Sequence, residues 1–345
     1  MDGMAGQGWR WMLGLCTAIL AAGALHWAEA ILAPVAFALF AIALVWPLQR
    51  AAQARVPQTV ALLATVLVAL TVLVALTTAS GWGFGRVARW VIAEAGQLQL
   101  LYARNLEWLE TRGIDASGLA EQFDMRRLVR VAQAVILQLQ GIVSFLALML
   151  VFVILGLLEV EVARRQLARL GGERPALAGL LRALERTAAK LRAYMLVRTV
   201  MSLATGLAVW GFARLAGLDL AAEWGVIAFV LNYIPFIGSL LATLFPTLFA
   251  ALQFGTWQAA VAVFLALQAI QFLSGSYLEP RLAGARLALS PFMVLLAVFL
   301  GALLWGIPGA FIGVPALIAV LTLCEEFPGS RWVAALLSGR APGEG

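Results

Sequence analysis

The sequence predicts an all-α integral membrane protein: about six full transmembrane helices plus two opposed re-entrant hairpins, eight apolar segments in all, with amphipathic interfacial helices. Three observations carry that expectation. Of 345 residues, 63% are hydrophobic and 12% charged, with a mean hydropathy of +0.94, against roughly 45–50% and about 25% in soluble domains. The apolar residues fall in runs long enough to cross a bilayer. Two C-terminal runs are interrupted by proline and glycine at matching places.

The composition also narrows the function classes. A net charge of +6 would suit nucleic acid, but all but one of the 24 basic residues are Arg, many in loops or at span ends. That is the cytoplasmic excess of a membrane protein, so no nucleic-acid partner is expected. Cys16 and Cys324 lie in apolar runs, and His26 has no Cys or His at ligand spacing. Neither a disulfide framework nor a metal site is expected. Gly81-Trp82-Gly83-Phe84-Gly85 follows no strand, so it is no dinucleotide loop. No nucleophile–base pair or phosphate loop occurs, and neither catalysis nor a cofactor is expected.

Taken in order, Trp11–Leu25 and Ile31–Leu48 form a helical pair joined by His26-Trp27-Ala28-Glu29. Arg10, the apolar run and Ala28-Glu29-Ala30 also resemble a signal peptide, but the next apolar run starts at once, which suits a hairpin. Gln58–Trp82 is a third span and Leu137–Leu158 a fourth. Val197–Phe212 is a short fifth, with Arg198 and Arg214 placed to snorkel to the interface.

Residues 86–136 carry Trp90, Ile92, Leu98, Leu101, Tyr102, Leu106 and Leu109 at helical spacing among nearly balanced charges. They read as an amphipathic helix on the outer face or against another subunit. Residues 174–193 read likewise inside. Arg10, Arg50, Arg55 and the basic 159–195 segment share one side if the N-terminus is cytoplasmic.

The last two apolar runs, Ala222–Phe254 and Pro291–Cys324, are too long for one crossing and too short for two. Ile234-Pro235-Phe236-Ile237-Gly238 in the first matches Ile307-Pro308-Gly309-Ala310-Phe311-Ile312-Gly313 in the second, and Pro246 and Pro315 follow. Proline removes a helical hydrogen bond and glycine permits a reversal. Backbone freed in this way cannot face lipid, so it lines a cavity or is buried in protein. Thr256–Ser274 crosses between the two runs. With each run a hairpin returning to its own side, Arg281, Arg286, Arg331 and Arg340 all fall in the cytoplasm, as does the C-terminus. A kinked or closely packed helix is the plainer alternative.

Several residues follow as pathway candidates. Asn232 donates and accepts hydrogen bonds and, with Tyr233 and Ser239, flanks the first break. Gln268, Gln271 and Ser274 recur three apart on one helix face. Polar helix packing is the alternative for both sets. Glu279 beside Arg281 reads as an interfacial ion pair or cap, or as an ion-coupling carboxylate. Pro280, Gly284 and Pro291 mark a loop where the second hairpin could hinge, with Gly306, Pro308, Gly309, Gly313 and Pro315 at its centre.

The motifs Asn232-Tyr233-Ile234-Pro235-Phe236-Ile237-Gly238, Leu278-Glu279-Pro280-Arg281-Leu282-Ala283-Gly284, Leu289-Ser290-Pro291, Gly306-Ile307-Pro308-Gly309 and Val314-Pro315 resemble those of the autoinducer-2 exporter family of bacterial permeases. Their order and spacing match over roughly residues 190–325, and the N-terminal helices match in layout. The resemblance implies a multi-pass inner-membrane transporter and a homo-oligomer, a pentamer among the states it allows. It also implies export of a signalling solute such as autoinducer-2, or sodium/proton exchange. One departure stands out: where many relatives carry Glu in a Gln-Gln-Ile-Glu-like stretch, this chain has Gln271-Phe272-Leu273-Ser274, so Ser274 weakens the case for ion coupling there.

The expected organisation is a three-helix scaffold at 1–82, an extracytoplasmic amphipathic segment at 83–136 and a transmembrane helix at 137–158. A basic cytoplasmic segment at 159–196, a transport unit at 197–325 holding both hairpins, and a cytoplasmic tail at 326–345 complete it. The expected partners are the lipid bilayer and a small polar solute or cation, moved by alternating access. The alternatives are a sodium/proton antiporter and a membrane scaffold that transports nothing.

Overall fold

The computed structural model describes residues 2–96, 99–100, 125–172, 174–283 and 289–338. Among them every regular element is helical: α1 (Asp2–Trp27), α2 (Glu29–Gln53), α3 (Gln58–Ala93), α4 (Met125–Gly171), α5 (Pro175–Leu215), α6 (Ala221–Leu231), α7 (Ile237–Phe254) and α8 (Trp257–Phe272). A π-helical turn (Leu273–Leu278) leads to α9 (Glu279–Ala283), and then come α10 (Pro291–Glu326), a 3-10 turn and α11 (Arg331–Ser338). Among the described residues seven helices are long and apolar enough to cross a membrane: α2, α3, most of α4, α5, α7, α8 with its π turn, and α10. Met12–Trp27 and α6 are shorter apolar helices.

Two element boundaries differ from those read in the sequence. The span ending at Leu158 and the basic stretch after it are one 47-residue helix, α4. The amphipathic residues 174–193 and the short fifth span are likewise one 41-residue helix, α5. At about 1.5 Å per residue both exceed any bilayer. Loss of hydrophobicity marks where lipid would end, not where the helix ends, because Arg, Glu, Leu and Ala are all good helix formers. Leu101, Tyr102, Leu106 and Leu109 of the outer amphipathic segment lie outside the described residues, as does Leu98.

Contacts divide the chain into two compact units, Met1–Leu67 with Phe145–Arg192 and Ala288–Gly345, and Val68–Ser144 with Ala193–Leu287. In the first, Ala38 and Ile42 of α2 pack on Met149, Val153 and Leu157 of α4. Phe37 meets Phe145 edge-on at 5.2 Å and stacks on Phe311 at 5.8 Å. The charged ends of α5 and α10 are tied together. Glu326 accepts from Arg182 at 2.7 Å and Arg186 at 2.8 Å, and Glu325 accepts from Lys190 at 2.6 Å.

α10 in this unit is broken. Trp305 (φ −135°, ψ 22°) and Gly306 (φ 62°, ψ −140°) leave helical geometry, and only glycine takes the second of these without strain. A straight helix would hold Ala297 and Gly313 about 24 Å apart. Instead a Cβ on Gly313 would strike the Ala297 carbonyl, and Gly301 and Gly309 meet backbone to backbone. Residues 307–326 therefore run back along 291–304. The turn is held from α1: Trp305 Nε1 donates to Leu25 O at 3.0 Å, and His26 Nδ1 donates to Leu304 O at 2.7 Å.

The second unit contains the other reversal. α6 ends at Leu231, and Phe236 adopts φ 61°, ψ −59° while Ile237 N donates to Pro235 O at 2.7 Å. That is a γ-turn of the rare positive-φ kind, held by a non-glycine residue. Trp224 then meets Phe249 at 5.2 Å between rings, so α7 returns along α6. Gly238 must lack a side chain because a Cβ would strike Leu231 O. Pro235 and Gly238 are buried at this turn, and Pro246 is buried inside α7. Gly255, at φ 62°, ends α7 in the left-handed cap that glycine favours.

Candidate functional site

Part of the second unit's buried polar surface lies along one face of α5. Tyr194, Arg198, Ser202 and Thr205 recur every three or four residues, so they share that face. All four are buried, with Arg198 9% exposed and Ser202 fully enclosed. Arg198, read from the sequence as a residue snorkelling at a span end, is instead the charged centre of this stripe. A charge inside an apolar segment is retained where it has a partner or a function.

Its partner is Glu279. Arg198 Nη2 lies 3.2 Å from Glu279 Oε1, and Nη1 donates to Oε2 at 3.3 Å. The guanidinium also lies 5.6 Å from the centre of the Tyr194 ring. The sequence pairs Glu279 with its neighbour Arg281. In the structure Arg281 lies over the Tyr277 ring at 4.0 Å instead. The cause is the π turn. Glu279 N donates to Ser274 O, five residues back, so the turn holds one residue more than an α-helix would. That extra residue carries Glu279 round to the face of Gln271 and Ser274. Single π turns often mark functional positions.

The other sequence candidates are placed as follows. Gln271 and Ser274 are both buried, and Ser274 Oγ donates to Gln271 O at 3.2 Å. Gln268, expected on the same stripe, is exposed. Asn232 Nδ2 donates to Ser202 Oγ at 3.3 Å, and Tyr233 OH pairs with Thr199 Oγ1 at 3.0 Å, so the first break is tied to α5. Ser239 Oγ turns back to Phe236 O at 2.9 Å and steadies the strained turn. Pro280 lies within α9, and Gly284 lies outside the described residues. Pro291 opens α10, with Pro308 and Pro315 inside it.

Three polar atoms in this unit are shielded from solvent without a hydrogen-bond partner: Arg198 Nε and Thr205 Oγ1 on α5, and Gln271 Nε2 on α8. Each such group costs about 1–3 kcal/mol, and native structures hold few of them. A buried carboxylate, Glu223 in the first turn of α6, pairs with Arg86 of α3 at 2.9 Å. Glu223 and Glu279 thus bracket the uncharged run Trp224–Leu278, and each is answered by an Arg from another helix. Sequence reading missed Arg86, Tyr194, Arg198, Ser202 and Thr205. The signal available was the four-residue spacing of Tyr194, Arg198 and Ser202 on an otherwise apolar helix.

A partly buried ion pair inside an apolar segment is a feature that membrane proteins retain for a partner or a function. Comparison with known proteins decides the class. A model of the AI-2E family transporter family matches residues 15–329. The chain belongs to the AI-2E transporter family. The AI-2 transport protein TqsA of Escherichia coli (strain K12) is 30% identical over 332 residues, covering 95% of this chain and 94% of that protein. A putative transport protein of Borreliella burgdorferi is 34% identical over 147 residues, covering 42% and 41%. The putative transport protein YhhT of E. coli K12 is 30% identical over 227 residues, covering 65% and 63%. This AI-2E family member is therefore a multi-pass membrane permease.

Proposed function

We propose that this permease is a secondary transporter that carries a small polar solute by alternating access, along the buried polar face of α5. The observation that carries the reading is the Arg198–Glu279 pair inside apolar helices, with Arg198 Nε and, on α8, Gln271 Nε2 buried without partners. A membrane protein keeps such groups at a cost, and a passing solute with its water supplies the missing partners. Gln271 belongs to the path on the same ground, and Asn232, Tyr233 and Ser274 join it as hydrogen-bonded polar groups inside an apolar run, with Gln268 and Ser239 at its margin.

The two reversals, at Pro235-Phe236 and Trp305-Gly306, are the hairpins of a transport machine. Each dips into the bilayer from its own side, with both termini cytoplasmic in accord with the placement of Arg. Gly238, Gly309 and Gly313 let their arms close, and Pro246, Pro280, Gly284, Pro291, Pro308 and Pro315 bound the hinging segments. The working form is a homo-oligomer in the bacterial inner membrane. Because TqsA is named for AI-2 transport, autoinducer-2 is the first solute to test.

In proteoliposomes, solute-driven counterflow of autoinducer-2 is expected. Asn232→Ala and Gln271→Leu should each slow it about tenfold, equivalent to about 1.4 kcal/mol, with the protein still folded. No flux under any gradient would count against transport. A sodium-driven pH change that Glu279→Gln abolishes would point to antiport instead. Intact flux in both variants would move the path away from these residues.

A further inference from the structure

Trp332 and Leu336 are 67% and 72% exposed, yet they lie beyond Glu325 and Glu326, where the apolar sequence of α10 has ended. One turn apart on α11, they share a face. On the other face Ala334 is buried, and Val333 and Leu337 are partly so. Both faces of α11 are therefore apolar, and among the described residues only one is covered.

The position of α11 indicates what covers the other. Ser330 Oγ donates to Cys324 O at 3.1 Å, and Arg331 Nε donates to Glu325 O at 3.2 Å. These bonds fold the chain back, so α11 starts level with the last apolar turn of α10 rather than beyond it. That turn, Leu321-Thr322-Leu323-Cys324 followed by two glutamates, is where hydrocarbon gives way to headgroups. Trp is enriched at that level of a membrane, because its ring is apolar and its N–H polar.

The charge around the same turn is positive. Arg182 and Arg186 pair with Glu326, and Lys190 pairs with Glu325. With Arg331, four cations meet two carboxylates, which leaves a surplus of two positive charges. Arg182 and Arg186 keep more than half of their side chains exposed, so their remaining donors can reach a further anion.

We infer that α11 is an interfacial anchor: Trp332 and Leu336 seat in the headgroup region of the bilayer, and the surplus charge at the end of α10 gathers anionic phospholipid there. The occupant is lipid rather than a second copy or another protein, because α11 is held at the bilayer's own level and its surroundings carry the charge that attracts anionic headgroups. Through Ser330 and Arg331, the membrane surface becomes a fixed point for the returning arm of α10. The anchor lies apart from the proposed solute path and does not depend on it.

The test uses the full-length protein in nanodiscs, with Cys16 and Cys324 replaced by Ser and a bimane fluorophore attached at Leu336→Cys. The reference is the same label at Ala168→Cys, an exposed position among Arg164, Arg165 and Arg169 of α4. The quenchers are aqueous iodide and a shallow acyl-chain nitroxide, carried in equal proportion by phosphatidylglycerol or by phosphatidylcholine. The lipid nitroxide should quench Leu336→Cys about threefold or more above the reference, and iodide should favour the reference. Phosphatidylglycerol should deliver the nitroxide about threefold or more better than phosphatidylcholine, since each surplus charge favours an anionic lipid by about fivefold. High salt should shrink that difference. Arg186→Gln combined with Arg331→Gln removes the surplus and leaves Arg182 on Glu326, so lipid contact should persist while the preference disappears.

Iodide quenching at Leu336→Cys as strong as at Ala168→Cys overturns the inference. So does protection from both quenchers, which would put a second copy or another protein on this face. Equal quenching by the two lipids overturns the selection of anionic headgroups. Should the double variant fail to fold, the lipid preference without it and the loss of that preference in salt decide the matter. Nanodiscs expose both bilayer faces, so the outcome does not depend on which face is cytoplasmic.

Discussion

Replacing Arg198 or Glu279 alone by alanine is expected to destabilise the protein by about 3 kcal/mol, the low end for breaking a buried ion pair. The low end applies because Glu279 keeps 28% of its side chain exposed, whereas Arg198 keeps 11%. The larger loss should come with Glu279→Ala, which strands a guanidinium among apolar helices. Arg198→Ala leaves a carboxylate that can turn toward solvent. The double replacement should cost clearly less than the sum, because it strands neither charge. A double-mutant cycle from unfolding in detergent reads this as a coupling of about 2 kcal/mol or more. Additivity to within about 0.5 kcal/mol would mean that the two side chains do not depend on each other.

The second large effect is expected at the reversal in α10. Gly301 and Gly309 approach so closely that a Cβ on either would strike the other's carbonyl. Neither backbone can retreat without separating the two arms. Gly301→Ala and Gly309→Ala should each cost about 1–3 kcal/mol through overpacking. Gly306→Ala should cost a similar amount, because φ 62° with ψ −140° is a conformation that side chains do not tolerate. The control is Gly211 in α5, where a Cβ would meet nothing within 4 Å. Gly211→Ala should be neutral or slightly stabilising, as glycine is the weaker helix former by about 1 kcal/mol. Thermal unfolding of the four variants distinguishes a turn that needs these glycines from a helix that merely contains them.

Much of the helical layout was legible because lipid imposes a simple rule: long apolar runs become helices. The two reversals were legible because Pro and Gly break that rule at Pro235-Phe236-Ile237-Gly238 and at Gly306-Ile307-Pro308-Gly309. Helix ends were not, because α4 and α5 continue through charged sequence that favours helix as much as apolar sequence does. The Glu279 partner was hidden for two reasons. Arg198 is distant in sequence, and the π turn shifts Glu279 by one residue from where α-helical counting puts it. The same shift undid the adjacent Glu279–Arg281 pairing. Gln268 was misplaced for a simpler reason: spacing puts residues on one face but does not say how far along the helix that face stays covered. The polar atoms of α5 lacked any motif, and only their shared burial draws them together.

The claim on which all of this depends is that the buried face of α5 is a wet path and not a dry packing surface. Thiol labelling in intact cells tests it most directly, with Cys16 and Cys324 replaced by Ser and single cysteines placed at Thr205 and at Leu203. Thr205 is 1% exposed on the polar face, whereas Leu203 is 54% exposed on the apolar one. A charged, water-soluble thiol reagent should label Thr205→Cys during turnover, more slowly when solute is present, and leave Leu203→Cys unmodified within lipid. Labelling at Leu203→Cys with none at Thr205→Cys would contradict the placement of the path.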